Sequence, residues 1–201
     1  MAFSTIKKAI QDFRKGKFVI VVDDKHRENE ADLVLAAEKA APEKINFMIK
    51  EARGLVCVPM LGKRLDELRL PMMTKNNTEF MKTAFTISVD VKNGTTTGIS
   101  AFDRAATIKA LADRNSKAED FARPGHIFPL RCNSKGLGKR AGHTEAAIEL
   151  CKLAGLYPAA VICEIIGENG KMAKIAEVEK MAKRHKLKII RVMGLIKYRK
   201  E

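Results

Sequence analysis

Residues 23–32 read Asp-Asp-Lys-His-Arg-Glu-Asn-Glu-Ala-Asp, five carboxylates with an imidazole and a guanidinium directly behind the apolar run Phe18 to Val22. The chain carries a net charge of +14, yet five acids against Lys25 and Arg27 give these ten residues −3. Such a reversal at a strand end suits cation binding or acid–base chemistry, because clustered carboxylates offer oxygen ligands and perturb one another's protonation. The competing reading is a solvated turn. A second cluster is Arg140-Ala141-Gly142-His143-Thr144-Glu145. There Arg140 offers a bidentate fork to phosphate, Gly142 admits close backbone approach, and Thr144 adds a hydroxyl where a helix start already favours an anion. The same residues would serve equally as a capping segment with Glu145 in the first turn. His143 opposite a carboxylate such as Glu28, with water and substrate oxygens completing the shell, suits Mg²⁺ or Mn²⁺ in an open site. Taken alone it reads equally as a structural histidine, and spacing does not pair it with Glu28.

The elements that must carry these clusters follow from periodicity. Ser4 caps a predicted amphipathic helix with Ile6, Ala9, Ile10 and Phe13, ended near Gly16, and Lys17 to Val22 is β-branched. Asp32 to Glu38 is a short strand, Pro42 opens a helix to about Ala52, and Gly54 to Met60 is a further strand. A polar, Met-rich stretch precedes Ala84 to Val91, whose alternation predicts a strand with Thr86, Ser88 and Asp90 on a wet face. Gly94 to Gly98 is a loop, and Ser100 caps a helix from Ala101 to Asp113 with Asp103 near its positive end. After the turn Arg123-Pro124-Gly125, His126 to Leu130 is a short strand, and residues 140–145 open a helix to about Leu153. Val161 to Ile166 is a buried strand, Asn169-Gly170 a tight turn, Ala173 to His185 a helix, and Leu187 to Val192 a last strand before a short helix. Strands and helices interleave throughout, which predicts an α/β (α+β) single domain over residues 1–201, a mixed β-sheet covered by helices.

Composition narrows the class. At 201 residues and 46% hydrophobic content the chain suffices for one sizeable core. It contains no eighteen-residue apolar stretch and no signal-peptide pattern, so a cytoplasmic protein without a membrane partner is expected. Cys57, Cys132, Cys151 and Cys163 lack Cys-x-x-Cys spacing and are expected to stay reduced. The basic balance raises nucleic acid as a partner, but the lysines read as spread along the chain, and only two Tyr and no Trp could stack on bases. Nucleic acid is therefore not the expected partner, and the same charge attracts a phosphorylated metabolite.

The motifs, taken in order, resemble the 3,4-dihydroxy-2-butanone 4-phosphate synthase family of riboflavin biosynthesis. They are Asp-Asp-x-x-Arg-Glu-Asn-Glu-x-Asp at 23–32, Gly-Leu-Val-Cys at 54–57, Leu-Pro-Met-Met at 70–73, Asn-Asn-Thr at 76–78 and Thr-Ala-Phe-Thr at 83–86. Further on come Thr-Thr-Gly-Ile-Ser-Ala-x-Asp-Arg at 96–104, Arg-Pro-Gly-His-x-Phe-Pro-Leu at 123–130, Arg-Ala-Gly-His-Thr-Glu-Ala at 140–146 and Cys-Glu at 163–164. The resemblance implies a metal-dependent lyase that converts D-ribulose 5-phosphate to L-3,4-dihydroxy-2-butanone 4-phosphate and formate. It implies two divalent ions, Mg²⁺ or Mn²⁺, held through Glu28 and His143. Substrate contacts carry over to Arg27, Glu28, Asp32, Arg140, Ala141, Gly142, His143, Thr144 and Glu164. Catalytic roles carry over to His126 and Glu164, with Asp32 and Glu30 as proton-transfer candidates and His126 as a loop support or proton relay. A homodimer with sites near the subunit interface is implied, as is a monofunctional chain without the cyclohydrolase domain that some members carry.

Departures from the family pattern are Lys25 and His26 where acids are common, Ala31 in place of a common Gly, and the bulky connection Glu79-Phe80-Met81-Lys82. None of these is expected to touch a ligand. Ala31 requires that its position avoid a Gly-only backbone conformation. Asp23, Lys25 and His26 remain as the solvated part of the first cluster. Cys57, between two valines, is either a small core residue or a participant in proton transfer. Thr95 to Gly98 and Ser100 either line the substrate pocket or do turn and cap duty. Two other functions compete: an inactive family member that binds nucleic acid through its basic surface, and a different sugar-phosphate isomerase.

Overall fold

Val-Ile-Val-Val at 19–22 is apolar without alternation because both faces of this strand are covered. The computed structural model describes residues 3–25 and 27–199, and His26 lies outside them. The strands are β1 (Val19–Val22), β2 (Ala31–Ala36), β3 (Cys57–Met60), β4 (Val89–Val91), β5 (Phe121–Arg131), β6 (Ala160–Glu164) and β7 (Lys188–Arg191). They form one mixed sheet in the order β4-β5-β3-β6-β2-β1-β7. The helices are α1 (Ile6–Arg14), α2 (Pro42–Glu51), α3 (Gly62–Glu67), α4 (Ala101–Ala112), α5 (His143–Leu153), α6 (Ile175–His185) and α7 (Val192–Tyr198). The expected helix-covered mixed sheet is the observed architecture.

Successive strand residues alternate between two cores. Ile20, Leu33, Leu35, Val161 and Cys163 pack on the face covered by α2, α4 and α6. Val19, Val21, Val34, Ala160 and Ile162 pack on the face covered by α1, α5 and α7. Leu33 and Leu35 are fully buried, so truncating either to Ala would cost roughly 2–5 kcal/mol. Asp32 belongs to the second face by the same alternation and is as buried as its apolar neighbours. That places a carboxylate under the start of α5.

Several local expectations change. Thr5 rather than Ser4 caps α1, its hydroxyl accepting from Lys8 N at 3.4 Å. The Met-rich stretch is preceded by α3, which contributes Leu65 to the core. Only residues 89–91 of the alternating run form a strand, with Val89 and Val91 inward as expected, while ahead of it the expected wet positions Thr86 and Ser88 are buried. Internal hydrogen bonding makes this possible: Thr86 Oγ1 donates to Pro129 O at 2.9 Å, and Ser88 Oγ accepts from Gly125 N at 3.2 Å. The expected turn at 123–125 lies inside β5, where a register shift against β4 absorbs the proline and glycine. A Cβ on Gly125 would stand 2.1 Å from the Val89 carbonyl carbon, so only glycine allows the two strands this approach.

The positive charge is also less dispersed than it reads along the chain. Residues 171–201 hold eleven Lys and Arg against three acids, and residues 1–17 hold five against one. These segments supply α1, α6, β7 and α7, which pack together around the β7 edge of the sheet. Charge on an edge strand discourages pairing with another sheet, and Lys188 and Arg191 of β7 fit that role.

Candidate active site

The first cluster is the connection between the antiparallel strands β1 and β2, with Val22 paired to Ala31. Its organiser is Asp23. One oxygen of this buried carboxylate accepts from Glu30 N at 2.9 Å, and the other accepts from Arg27 Nη1 at 2.9 Å and Glu28 N at 3.2 Å. Asp23 is therefore no solvated turn residue, because its side chain closes the loop on itself. The left-handed position falls on Asn29, at φ 57°, a residue type that tolerates it. Ala31 sits in extended strand, as its side chain requires. Arg27 also pairs with Glu28 at 2.7 Å, which turns that carboxylate toward the sheet end.

Strand register supplies the next group. Asp32 of β2 lies opposite Glu164 of β6, and Cys57 of β3 lies opposite Ile162 on the same face. Glu164 Oε2 accepts from Leu55 N at 2.8 Å. A Cβ on Gly54 would meet Glu164 backbone and carboxylate at 2.5 Å, so glycine is needed to admit that side chain. Above this face α5 begins, with Gly142 at its N-cap and His143 and Thr144 buried in its first turn. His143 Nδ1 lies 3.5 Å from Glu28 Oε2 and 3.8 Å from Asp32 Oδ1, both longer than strong hydrogen bonds. Arg140 donates to buried Glu145 at 2.8 Å and to Thr83 Oγ1 at 3.4 Å. At Gly142 a Cβ would stand 2.6 Å from Arg140 Nη1 and 3.0 Å from Arg27 Nη2. The glycine thus lets two guanidinium groups converge on a helix N-terminus, an arrangement fitted to a phosphate.

The electrostatics are those of crowded carboxylates around one imidazole. Burial is the largest influence on Asp32, and with Glu164, Glu28 and Glu30 nearby it pushes the carboxyl from 3.8 up to about 7 despite His143. Burial pulls the His143 imidazole down, but Asp32, Glu28 and Asp23 outweigh it and carry the group up from 6.5 to about 9. Burial, together with Glu28 and Glu164, raises Glu30. Burial also works to raise Glu28, yet His143 and Arg27 leave it below its ordinary value. Excess negative charge is thus concentrated where His143 is its sole buried cationic partner among the described cavity residues.

This donor set fits a divalent ion. Oxygen and nitrogen atoms of Asp23, Glu28 and His143 lie within 4.8 Å of one another. Asp32 Oδ1 and His143 Nε2 are buried without a hydrogen-bond partner among the described residues, and unpaired buried polar atoms are costly enough to point to a ligand. Asp23 already spends its oxygens on the loop, so Glu28 and His143, with Asp32 beside them, are the available ligands.

Arg27, Glu28, Glu30, Asp32, Arg140, His143, Thr144 and Glu164 all line one cavity of about 200 Å³. Ala141 and Gly142 connect its walls without lining it. His126 stands apart: it is outside the lining and its ring is held by Asp90 at 2.7 Å. Cys57, Glu79, Thr83, Phe85, Leu130 and Ile162 complete the wall. Glu79 corrects the expectation that the 79–82 connection stays clear of the site. Its signal was available only as an acid in a departure from the family pattern. Thr95 to Gly98 and Ser100 do not line the cavity: Ser100 Oγ caps α4 by accepting from Asp103 N at 3.0 Å. A larger cavity of about 620 Å³ shares Arg140 and Thr144 with it, adds Glu145, and contains none of the carboxylates of residues 23–32.

The model of the 3,4-dihydroxy-2-butanone 4-phosphate synthase family matches residues 7–198. The chain is 56% identical over 198 residues to the riboflavin biosynthesis protein RibBA of Endomicrobium trichonymphae, covering 98% of this chain but only 49% of that protein. It is 52% identical over 200 residues to the 3,4-dihydroxy-2-butanone 4-phosphate synthase of Agrobacterium fabrum, covering 100% of this chain and 94% of that one. A crystal structure of a 3,4-dihydroxy-2-butanone 4-phosphate synthase in complex with two magnesium ions superposes with a TM-score of 0.91 at 42% identity, covering 98% of this chain and 96% of that one. The chain belongs to the 3,4-dihydroxy-2-butanone 4-phosphate synthase family.

Proposed function

We propose that the protein is a metal-dependent lyase converting D-ribulose 5-phosphate to L-3,4-dihydroxy-2-butanone 4-phosphate and formate in riboflavin biosynthesis. The observation that carries this reading is the convergence, in one cavity, of Glu28, Asp32, His143 and Glu164 with the guanidinium groups of Arg27 and Arg140. The first set suits proton transfer beside a cation, and the second suits a phosphate.

In this reading Arg27, Arg140 and Thr144 bind the phosphate at the start of α5, fixing the sugar across the carboxylate face. Glu28 and His143 would hold Mg²⁺ or Mn²⁺, two ions per site in this reading, supplying positive charge beside the sugar oxygens; a relative forms a complex with two magnesium ions. The sugar must lose a proton beside its carbonyl, shed a hydroxyl as water, rearrange its carbon skeleton and, after a water adds back, release C4 as formate. Asp32, with its carboxyl raised to about 7, is suited to take and return protons near neutral pH. Glu164 stands opposite on the ladder as a second acid–base group, oriented by Leu55 N–H. Glu30, also raised, is the third candidate. Burial of the cavity floor under α5 limits water at the carbon being deprotonated.

The same reading includes a homodimer and a cytoplasmic location. Phe80 and Phe102 are 92% and 72% exposed, with Ile99 beside the loop that touches His126. Covering these apolar residues with a second subunit would place the neighbourhood of His126 at a subunit interface. Four buried free cysteines suit a reducing compartment, and no described helix is long and apolar enough to cross a membrane. Incubation of the purified protein with ribulose 5-phosphate and Mg²⁺, with formate measured, tests the activity. Formate release with metal, and none with chelator, is the expected result. Pentose phosphate without formate would mean an isomerase.

A further inference from the structure

His126 is held with more care than a surface histidine needs. Its backbone N donates to Asp90 Oδ1 at 2.9 Å, and its Nδ1 lies 2.7 Å from Asp90 Oδ2, so both carboxylate oxygens serve one residue. A carboxylate only accepts, so the ring must carry its proton on Nδ1. That leaves Nε2 as the nitrogen with the free lone pair. The imidazole is 43% exposed while Asp90 is 13% exposed, the pattern of a presented group on a buried support.

A second layer fixes the support. Gly98, at φ +94°, lies so close that a Cβ there would be 2.1 Å from Asp90 Oδ2 and 2.5 Å from His126 Nδ1. Asp103, in the first turn of α4, holds this glycine in place. Its oxygens accept from Gly98 N at 3.0 Å, from Thr96 N at 3.2 Å and from Thr96 Oγ1 at 2.8 Å. From the other side Gly125 permits β5 to close on Val89 and Asp90. Two glycines and a buried aspartate thus converge on one Asp–His pair.

We infer that Asp90 is the positioning residue of His126, fixing the Nδ1–H tautomer and the ring direction so that Nε2 exchanges protons in the reaction, with Gly98 and Asp103 as its brace. This rests on the reading of His126 as an essential group. A carboxylate in this relation to a catalytic imidazole keeps the correct tautomer and steadies the imidazolium when it forms. The pair acts on the chemical step, and substrate binding is left to the cavity residues.

Asp90→Asn tests the inference, because it preserves shape and the acceptor for His126 N–H while presenting an amide to the ring. The expected result is a fall in kcat of about 10³–10⁴-fold, with KM within about threefold. Long-range proton–nitrogen NMR of the histidine rings, with His126 assigned by its loss in His126→Gln, should show the Nδ1–H form in the parent and its loss in Asp90→Asn. Asp90→Glu, which restores a carboxylate, should recover the Nδ1–H form and at least about tenfold of the lost kcat. Parent-like kcat in Asp90→Asn, with His126→Gln inactive, overturns the positioning role while leaving His126 essential. Full turnover in His126→Gln overturns the essential-histidine reading and the inference with it. Should Asp90→Asn fail to fold, absence of the Nδ1–H form in the parent spectrum overturns the inference independently.

Discussion

Asp32 and Glu164 face each other across the β2–β6 ladder, two carboxylates from distant parts of the chain placed on one face of a buried sheet by register alone. Like charges opposite one another in a ladder destabilise it, so the pair requires positive charge above it. His143, 3.8 Å from Asp32, stands where it can supply that charge.

A dependence of stability on pH follows for the metal-free state. The folded pKa of His143, about 9, lies above its ordinary 6.5, so its stabilising contribution is complete below about 6.5 and lost as pH rises through 9. Asp32, raised from 3.8 to about 7, costs stability increasingly as pH rises through that interval. Both act in one direction. Tm measured in chelator should fall by several degrees between about pH 6 and about pH 9.5, and saturating Mg²⁺ should reduce that fall. A flat or rising Tm in chelator would mean that the imidazole and carboxylates are not coupled as described.

Glu28→Gln and His143→Ala should each remove measurable Mn²⁺ binding by calorimetry and abolish formate release, with the circular dichroism spectrum unchanged. Glu28 is at the cavity surface and His143 is at a helix start, so neither change opens the core. Metal-dependent turnover persisting in both variants would refute the ligand assignment.

Asp23→Ala should destabilise the protein by about 2–4 kcal/mol in urea unfolding, because it removes one of the two carboxylates on Arg27 and strands two backbone N–H groups at once. Metal affinity should weaken as well, since the same bonds hold Glu28. A loss below about 0.5 kcal/mol with unaltered metal affinity would show that the loop is organised by something else.

Arg140→Ala and Gly142→Ala should both raise KM by about tenfold or more and lower kcat less. The first deletes a guanidinium. The second inserts a methyl group 2.6 Å from Arg140 Nη1 and 3.0 Å from Arg27 Nη2, driving both away from the helix start. An unchanged KM in either variant argues against the phosphate seat.

Legibility in the sequence divides along a physical line. The sheet and most helices follow from apolar periodicity, and Arg27, Glu28, Glu30, Asp32 and Arg140 stand in motifs dense enough in charge to be noticed, whereas Glu164, a lone acid in an apolar strand, is reached only through the family resemblance. Asp23 was not legible as an anchor, because an acid after a strand is ordinary until the fold brings Arg27 and two N–H groups onto it. Thr86 and Ser88 misled for a related reason: polarity marks solvent only where no internal acceptor or donor waits, and Pro129 O and Gly125 N were waiting. Asp90 and Gly98 acquire meaning only from their proximity to His126, which spacing does not encode. The basic face around β7 escaped notice because its charges come from both ends of the chain.

Cys57 lines the cavity, and that position made proton transfer conceivable. Its surroundings oppose it. Burial, then the nearby Glu164 and Asp32 carboxylates, push its thiol well above the ordinary value, so at neutral pH the sulfur keeps its proton. A thiol in that state neither accepts a proton from a sugar nor attacks an alkylating agent readily. Cys57→Ala should therefore keep kcat within about threefold of the parent, and iodoacetamide at about pH 8 should modify Cys57 far more slowly than a free thiol. Loss of turnover in the alanine variant at unchanged Tm would give the sulfur a chemical role and place it among the proton-transfer groups with Asp32 and Glu164.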